Sequence, residues 1–265
     1  MHVMVVQLDM AWEDKTRNRN RVVELLATSD VPPGTLIVLP EMFETGFSMN
    51  VEATAQDAHC QGESFLRGLA VKYQSAVIGG VVSPAREDPT SGRKVASNEA
   101  VVYGPDGSEL ARYRKQHPFS LSGEDRCYPA GEMGVAFEWQ GVRIAPFICY
   151  DLRFPELFRT AVRDGAEMFV VIACWPAVRS EHWVRLLQAR AIENLALTVG
   201  GNRCGHEPKL EFDGRSAAFD HLGRCLFEAD GREQILQCDL DAATMRQWRD
   251  KFPALRDSRV LSNLQ

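Results

Sequence analysis

The sequence lacks the features that mark several large protein classes. It has no apolar run long enough to span a bilayer, so no membrane-crossing helix is expected. Met1-His2-Val3-Met4-Val5-Val6 shows no secretory pattern and leads straight into a strand-like run. Neither a Gly-x-Gly-x-x-Gly nor a Walker-type Gly-Lys-Ser/Thr loop occurs, which argues against a nucleotide cofactor. Basic residues do not dominate: the net charge is −6 and no polybasic tract exists, so nucleic acid is not an expected partner. The seven cysteines are odd in number and irregularly spaced, which does not suggest a disulfide framework. Reduced thiols and a cytoplasmic location are expected instead. Cys204-Gly205-His206 has no second pair at zinc-finger spacing, so it reads as a loop and no metal is expected. Asp220-His221-Leu222-Gly223 reads as a hairpin turn, and no histidine forms an evident pair with a cysteine.

What remains is an ordinary globular composition on a chain long enough to bury a substantial core. Strand-like and helix-like segments alternate without a linker or repeat. Val3–Leu8, Thr35–Leu39, Ala76–Val82, Val142–Ile148, Met168–Ala173 and Leu197–Gly201 read as strands. Lys15–Thr28, Ser64–Tyr73, Pro155–Arg163 and Glu181–Asn194 read as helices, and a last helix starts at the N-cap Asp241 and ends before Pro253. Ala100–Tyr103 and Glu109–Arg114 flank Gly104-Pro105-Asp106-Gly107 and predict a hairpin. Pro84–Lys94 reads as a polar surface loop, and 216–219, 224–228 and 234–239 read as hairpin strands. This order predicts a layered α/β protein.

Three strand ends carry chemistry. The apolar strand ending at Ile148 runs into Cys149, and a proline-started helix follows within a few residues. A thiol at such a turn lies near free backbone N–H groups, which favour thiolate and can receive an oxyanion. The bland alternative is an inert core cysteine. Glu41 stands directly after Pro40, which stops the strand Thr35–Leu39. Lys115 follows Arg112-Tyr113-Arg114 into a loop. Singly, Glu41 could cap a turn and Lys115 could be solvated. Together, a carboxylate, an ammonium and a thiol at strand ends form a proton-transfer and charge-stabilising set.

With those residues in view, the chain resembles the nitrilase (carbon–nitrogen hydrolase) superfamily, defined by a Glu–Lys–Cys triad in this order. The resemblance runs from Val3 to about Phe252. Cys149-Tyr150-Asp151-Leu152-Arg153-Phe154-Pro155-Glu156 resembles the amidase branch that includes omega-amidases. Cys174-Trp175-Pro176-Ala177, His182-Trp183 and Gln188–Asn194 are similar to bacterial omega-amidases in particular. The resemblance implies a four-layer α-β-β-α sandwich with mixed sheets, a single domain over residues 1–265, a homodimer or higher homo-oligomer, and no cofactor.

It also implies roles. Cys149 is the nucleophile, Glu41 the general base and acid, and Lys115 the charge beside the oxyanion, with the Tyr150 N–H as second donor. A second glutamate follows the lysine in this family. Glu124 and Glu132 are both candidates, and Glu124 is preferred because Glu132 belongs to the motif leading into the cysteine strand. Arg153 is placed to form a forked pair with a substrate carboxylate. A structural salt bridge to Asp151 or Glu156 is the alternative. Trp175 is expected to wall a short pocket unless it serves only the core or an interface, and Arg179 to assist with the carboxylate. His117 is expected to order its loop. The implied substrate is a small carboxylate-bearing amide such as 2-oxoglutaramate or 2-oxosuccinamate, with deaminated glutathione as the alternative and a silent scaffold protein the least favoured reading.

Overall fold

The computed structural model describes residues 1–258; the last seven residues of the expected domain, 259–265, lie outside the described residues. Two six-stranded mixed sheets form the centre. The first contains β1 (His2–Gln7), β2 (Leu36–Val38), β3 (Ala76–Val82), β4 (Asn98–Tyr103) and β5 (Glu109–Arg114). The second contains β6 (Phe137–Trp139), β7 (Val142–Ile148), β8 (Met168–Ala173), β9 (Leu197–Asn202), β10 (Ala217–Phe219) and β11 (Cys225–Glu228). The last strand, β12 (Gln234–Asp239), joins the first sheet antiparallel to β1. The strand orders are β12-β1-β2-β3-β4-β5 and β11-β10-β9-β8-β7-β6.

Period-two burial explains the layering. On the first sheet, Val3, Val5, Leu36, Val38, Ala76 and Ile78 point into the inter-sheet core. Their neighbours Val6, Ile37, Leu39 and Val77 point the other way. There they meet Val22 and Leu26 of α1 (Lys15–Ala27) and Leu66, Leu69 and Ala70 of α2 (Gln61–Tyr73). The second sheet is covered by α3 (Pro155–Arg163) and α4 (Ser180–Asn194), and α5 (Ala242–Lys251) follows β12. Adjacent glycines on β9 mark both contacts. A Cβ on Gly200 would collide with Leu187 and Trp183 of α4, whereas one on Gly201 would press on Val38 and Val5 of the first sheet. The result is the expected α-β-β-α sandwich.

Local signals set the helix starts. The Asp14 side chain accepts a bond from the Arg17 N–H at 3.0 Å, and Asp241 does the same for Thr244 at 2.9 Å. Pro155 occupies the first turn of α3, where its missing N–H costs nothing. Among the described residues no helix is long and apolar enough to cross a membrane.

Three expectations need correction. Residues 234–239 do not form a hairpin with β11, since β12 crosses to the other sheet to pair with β1. The expected loop over 84–94 contains a short ribbon, Arg86–Glu87 against Lys94–Val95. Cys204–His206 is likewise a strand, paired antiparallel with Glu211–Asp213.

Direction matters most for function. β1, β2 and β3 are parallel, as are β7, β8 and β9. β4 is antiparallel to β3, and β5 to β4, so β5 again runs with β2. The residues that follow β2 and β5 therefore emerge at one edge, beside the first residue of β4, Asn98. Packing there is tight. A Cβ on Gly80 would lie 2.5 Å from both Glu41 Cα and Met42 N. Gly80→Ala is therefore expected to destabilise the fold by about 1–3 kcal/mol, as overpacking does, despite the better strand propensity of alanine. Denaturant unfolding measures this, and unchanged stability would show that the Glu41 turn yields easily.

Candidate active site

Glu41, Lys115, Glu124 and Cys149 converge at that edge. All four are buried, although three are ionisable groups of high hydration cost. Lys115 Nζ lies 2.8 Å from Glu41 Oε1 and 2.9 Å from each oxygen of Glu124. Burial alone would lower the Lys115 pKa, but the two carboxylates hold it well above the ordinary value. Burial raises the Glu124 carboxyl against the pull of Lys115. The Phe119 N–H donates to Glu124 Oε2 at 2.6 Å, so the loop after Lys115 is folded around this carboxylate. Glu132, the other candidate, is exposed in the loop before β6.

Sequence reasoning missed two members of the site. Asn98 Nδ2 donates to Glu41 Oε1 at 2.8 Å and to Glu124 Oε1 at 3.0 Å, bridging the two carboxylates. Only the antiparallel return of β4 brings it there, and no local motif marks it. Cys174, after β8, donates its N–H to Glu41 Oε2 at 2.8 Å and its thiol to the Glu41 carbonyl at 3.2 Å. Both Glu41 oxygens are thus fixed.

Cys149 ends β7 with φ +49, and Met42, next to Glu41, has φ +44. Left-handed backbone at residues with a Cβ costs about 1–2 kcal/mol each. At Cys149 the strand gives way to a 3₁₀ turn over Cys149–Arg153. The first N–H groups of such a turn have no acceptor within it, which leaves the Tyr150 N–H suited to an oxyanion. Asp151 secures the turn. Its Oδ2 accepts from the Ile148 N–H at 3.2 Å and the Tyr113 hydroxyl at 2.8 Å, and its Oδ1 accepts from the His117 N–H at 2.9 Å. One carboxylate thereby ties the cysteine turn to both flanks of Lys115. His117 also stacks on Phe154 at 3.7 Å between ring centroids, the ordering role expected of it.

The turn by itself favours thiolate, and the sequence leaves the resting protonation of Cys149 open; the surroundings act against the thiolate. Burial, then the Glu41 charge, push the Cys149 thiol well above its ordinary value, and Lys115 offsets them only in part. A thiolate would add a second uncompensated negative charge to a site holding two carboxylates and one ammonium. The site therefore favours the thiol over the thiolate.

Cys149 opens into a cleft of about 310 Å³ with largely apolar walls that include Phe47, Phe119, Tyr150 and Trp175. Trp175 is held through its indole N–H to the Arg179 carbonyl at 2.8 Å and through its backbone to Asn202. Arg153 lies 4.8 Å from the Trp175 ring centroid and 3.1 Å from His182 Nδ1. It pairs with neither Asp151 nor Glu156, so the salt-bridge alternative is not the one formed. Arg179 packs 5.3 Å from the Phe119 centroid and, like Arg153, lines the cleft. Among the described residues neither arginine pairs with a carboxylate, and apolar walls with such arginines suit a small anionic organic ligand.

The sequence matches the carbon–nitrogen hydrolase family over residues 2–250. It is 36% identical to an omega-amidase from Yersinia enterocolitica, covering 97% of this chain and 96% of that protein. It is 30% identical to a 2-oxoglutaramate amidase from Bacillus subtilis, covering 97% of each protein. A carbon–nitrogen hydrolase superfamily protein from Xanthomonas campestris, solved with an arsenic adduct in its active site, superposes with a TM-score of 0.87 at 32% identity, covering 97% of each chain.

The buried neutral thiol makes a direct prediction. The wild-type minus Cys149→Ser difference in ultraviolet thiolate absorbance should show no titration step below the ordinary thiol value of 9.0. A step near neutrality would contradict the charge argument.

Proposed function

Since the chain belongs to the carbon–nitrogen hydrolase family and is a hydrolase of amide C–N bonds, we propose that it is an omega-amidase working through a Cys149 thioester. The substrate is a short carboxylate-bearing amide, 2-oxoglutaramate or 2-oxosuccinamate, and the products are the 2-oxo acid and ammonia. The observation that carries this reading is the placement of Cys149 beside the buried Glu41–Lys115–Glu124 cluster, at the floor of a cleft lined by Arg153.

Glu41 takes the thiol proton as Sγ bonds to the amide carbon, and the carbonyl electron pair moves onto oxygen. Lys115 and the Tyr150 N–H stabilise that oxyanion; one such donor is typically worth about 2.7–4 kcal/mol. All three Lys115 protons already face carboxylate oxygens, so its contribution is chiefly its charge. Glu41, now protonated, gives its proton to the amide nitrogen as the C–N bond breaks and ammonia leaves. Water then adds to the thioester, with Glu41 accepting its proton and Glu124 orienting the attack. The C–S bond breaks, and the departing sulfur recovers the proton from Glu41.

Asn98 and Cys174 keep Glu41 aimed through both steps. Arg153 holds the substrate carboxylate as a forked donor, Arg179 assists, and Trp175 packs on the short chain between carboxylate and amide.

Ammonia release from 2-oxoglutaramate tests the reading. Wild type should turn it over, glutamine should be poor, and Cys149→Ala should lose about a thousandfold or more. Arg153→Lys, which keeps the charge but not the fork, should raise KM about tenfold with kcat little changed. Mass spectrometry of quenched enzyme should find an acyl group on Cys149. Turnover of deaminated glutathione but not of 2-oxoglutaramate would retain the chemistry and overturn the substrate assignment.

A further inference from the structure

A buried ion pair outside the reacting groups builds the far wall of the cleft. Arg203, directly after β9, is fully buried; its guanidinium hydrogen-bonds to several separate pieces of backbone and to the Glu207 carboxylate, and Asp9 Oδ1 lies farther off, 4.0 Å from Nη2. Nε donates to the Cys204 carbonyl at 3.0 Å, and Nη2 to the carbonyls of Met10 at 3.2 Å and His206 at 3.1 Å. Nη1 donates to Glu207 Oε1 at 2.7 Å. The same oxygen accepts the Phe47 N–H at 3.0 Å. The guanidinium also lies 4.4 Å from the Phe212 ring centroid.

The segments so joined are the ones that wall the cleft. Trp12 lies two residues beyond Met10, Phe47 lines the cleft itself, and Pro208, Lys209 and Leu210 follow Glu207. The Phe47 ring also sits 5.1 Å from Lys115 Nζ. Buried ion pairs are weak stabilisers because desolvation cancels much of their attraction, so stability alone is a poor reason for this one. Its geometry serves register: one oxygen holds the loop after Glu41 against the loop that leads to the Glu211–Asp213 strand.

We infer that Arg203 and Glu207 form a positioning pair that sets the width of the substrate cleft, acting through Phe47 and the 207–210 loop. The inference rests on the reading of this cleft as the substrate site. Glu207→Gln keeps an acceptor for both donors and should preserve the wall, whereas Glu207→Ala releases Phe47 and the loop.

The test follows alkylation at Cys149 by peptide mass spectrometry, comparing a bulky maleimide with iodoacetamide, and needs no substrate. Glu207→Ala should raise the maleimide-to-iodoacetamide rate ratio about tenfold, and Glu207→Gln should stay within about twofold of wild type. For any amide that wild type hydrolyses, KM should rise about tenfold in Glu207→Ala while kcat holds within about threefold. A folded Glu207→Ala with an unchanged ratio and KM would overturn the inference, as would a Gln variant impaired as much as Ala. If Glu207→Ala fails to fold, Arg203→Met/Glu207→Met removes the tether without leaving a buried unpaired charge and is read in the same two assays. A wild type that hydrolyses no amide would overturn the amidase reading alone, and the alkylation ratio would still decide the role of the pair.

Discussion

The site depends on one desolvated ammonium. Lys115 is buried beside two carboxylates, and none of the three groups would be tolerable there alone. Removing one partner of a buried ion pair typically costs about 3–5 kcal/mol because the other is left uncompensated. The cluster therefore constrains the ends of β2 and β5 and the loop carrying Glu124 to meet at one point. It also leaves the site with one more negative charge than positive. That excess opposes a further negative charge on the nearby thiol.

The surrounding structure holds this cluster rigid by using backbone donors and polar side chains that do not react. Asp151 fastens the cysteine turn to Tyr113 and His117, on either side of Lys115. From the other direction, Arg190 of α4 donates to the Leu152 carbonyl at 2.7 Å. Asn98 and the Cys174 N–H fix Glu41. Positioning of this kind lowers the reorganisation needed when charge develops in the transition state, and electrostatic catalysis depends on it. The left-handed backbone at Cys149 and Met42 is a local cost that this network offsets.

The cleft divides the remaining work. Cys149 opens into it, its walls are largely apolar, and among the described residues Arg153 and Arg179 pair with no carboxylate. The one carboxylate in its lining, Glu207, is already committed to Arg203 and Phe47. Such a surface suits a small anionic organic ligand.

Local patterning was enough to identify the elements that carry the chemistry. Apolar runs stopped by Pro40 and by Cys149, the proline-started helix at 155 and the turn at Gly104–Gly107 are all short-range signals, and each gave a correctly placed strand end or helix. Glu41, Lys115 and Cys149 were legible because each stands at such an end. Glu124 needed the family resemblance to be preferred over Glu132, since nothing local separates two loop carboxylates. The destination of β12 was not legible, because strand pairing is a long-range choice between two sheets with similar edges. Asn98 and the backbone of Cys174 were hidden for the same reason: their partner Glu41 lies 57 and 133 residues away. Arg203 and Glu207 are only four residues apart, but the segments they join, at Met10 and Phe47, lie 193 and 160 residues away. The protonation of Cys149 was also decided only in three dimensions. A strand-to-helix turn favours thiolate by its local dipoles, but burial and a carboxylate brought from a distant strand outweigh them. Sequence determined which groups stand at the ends of strands; tertiary structure alone decided which of them share a desolvated site, because charge and burial act through space.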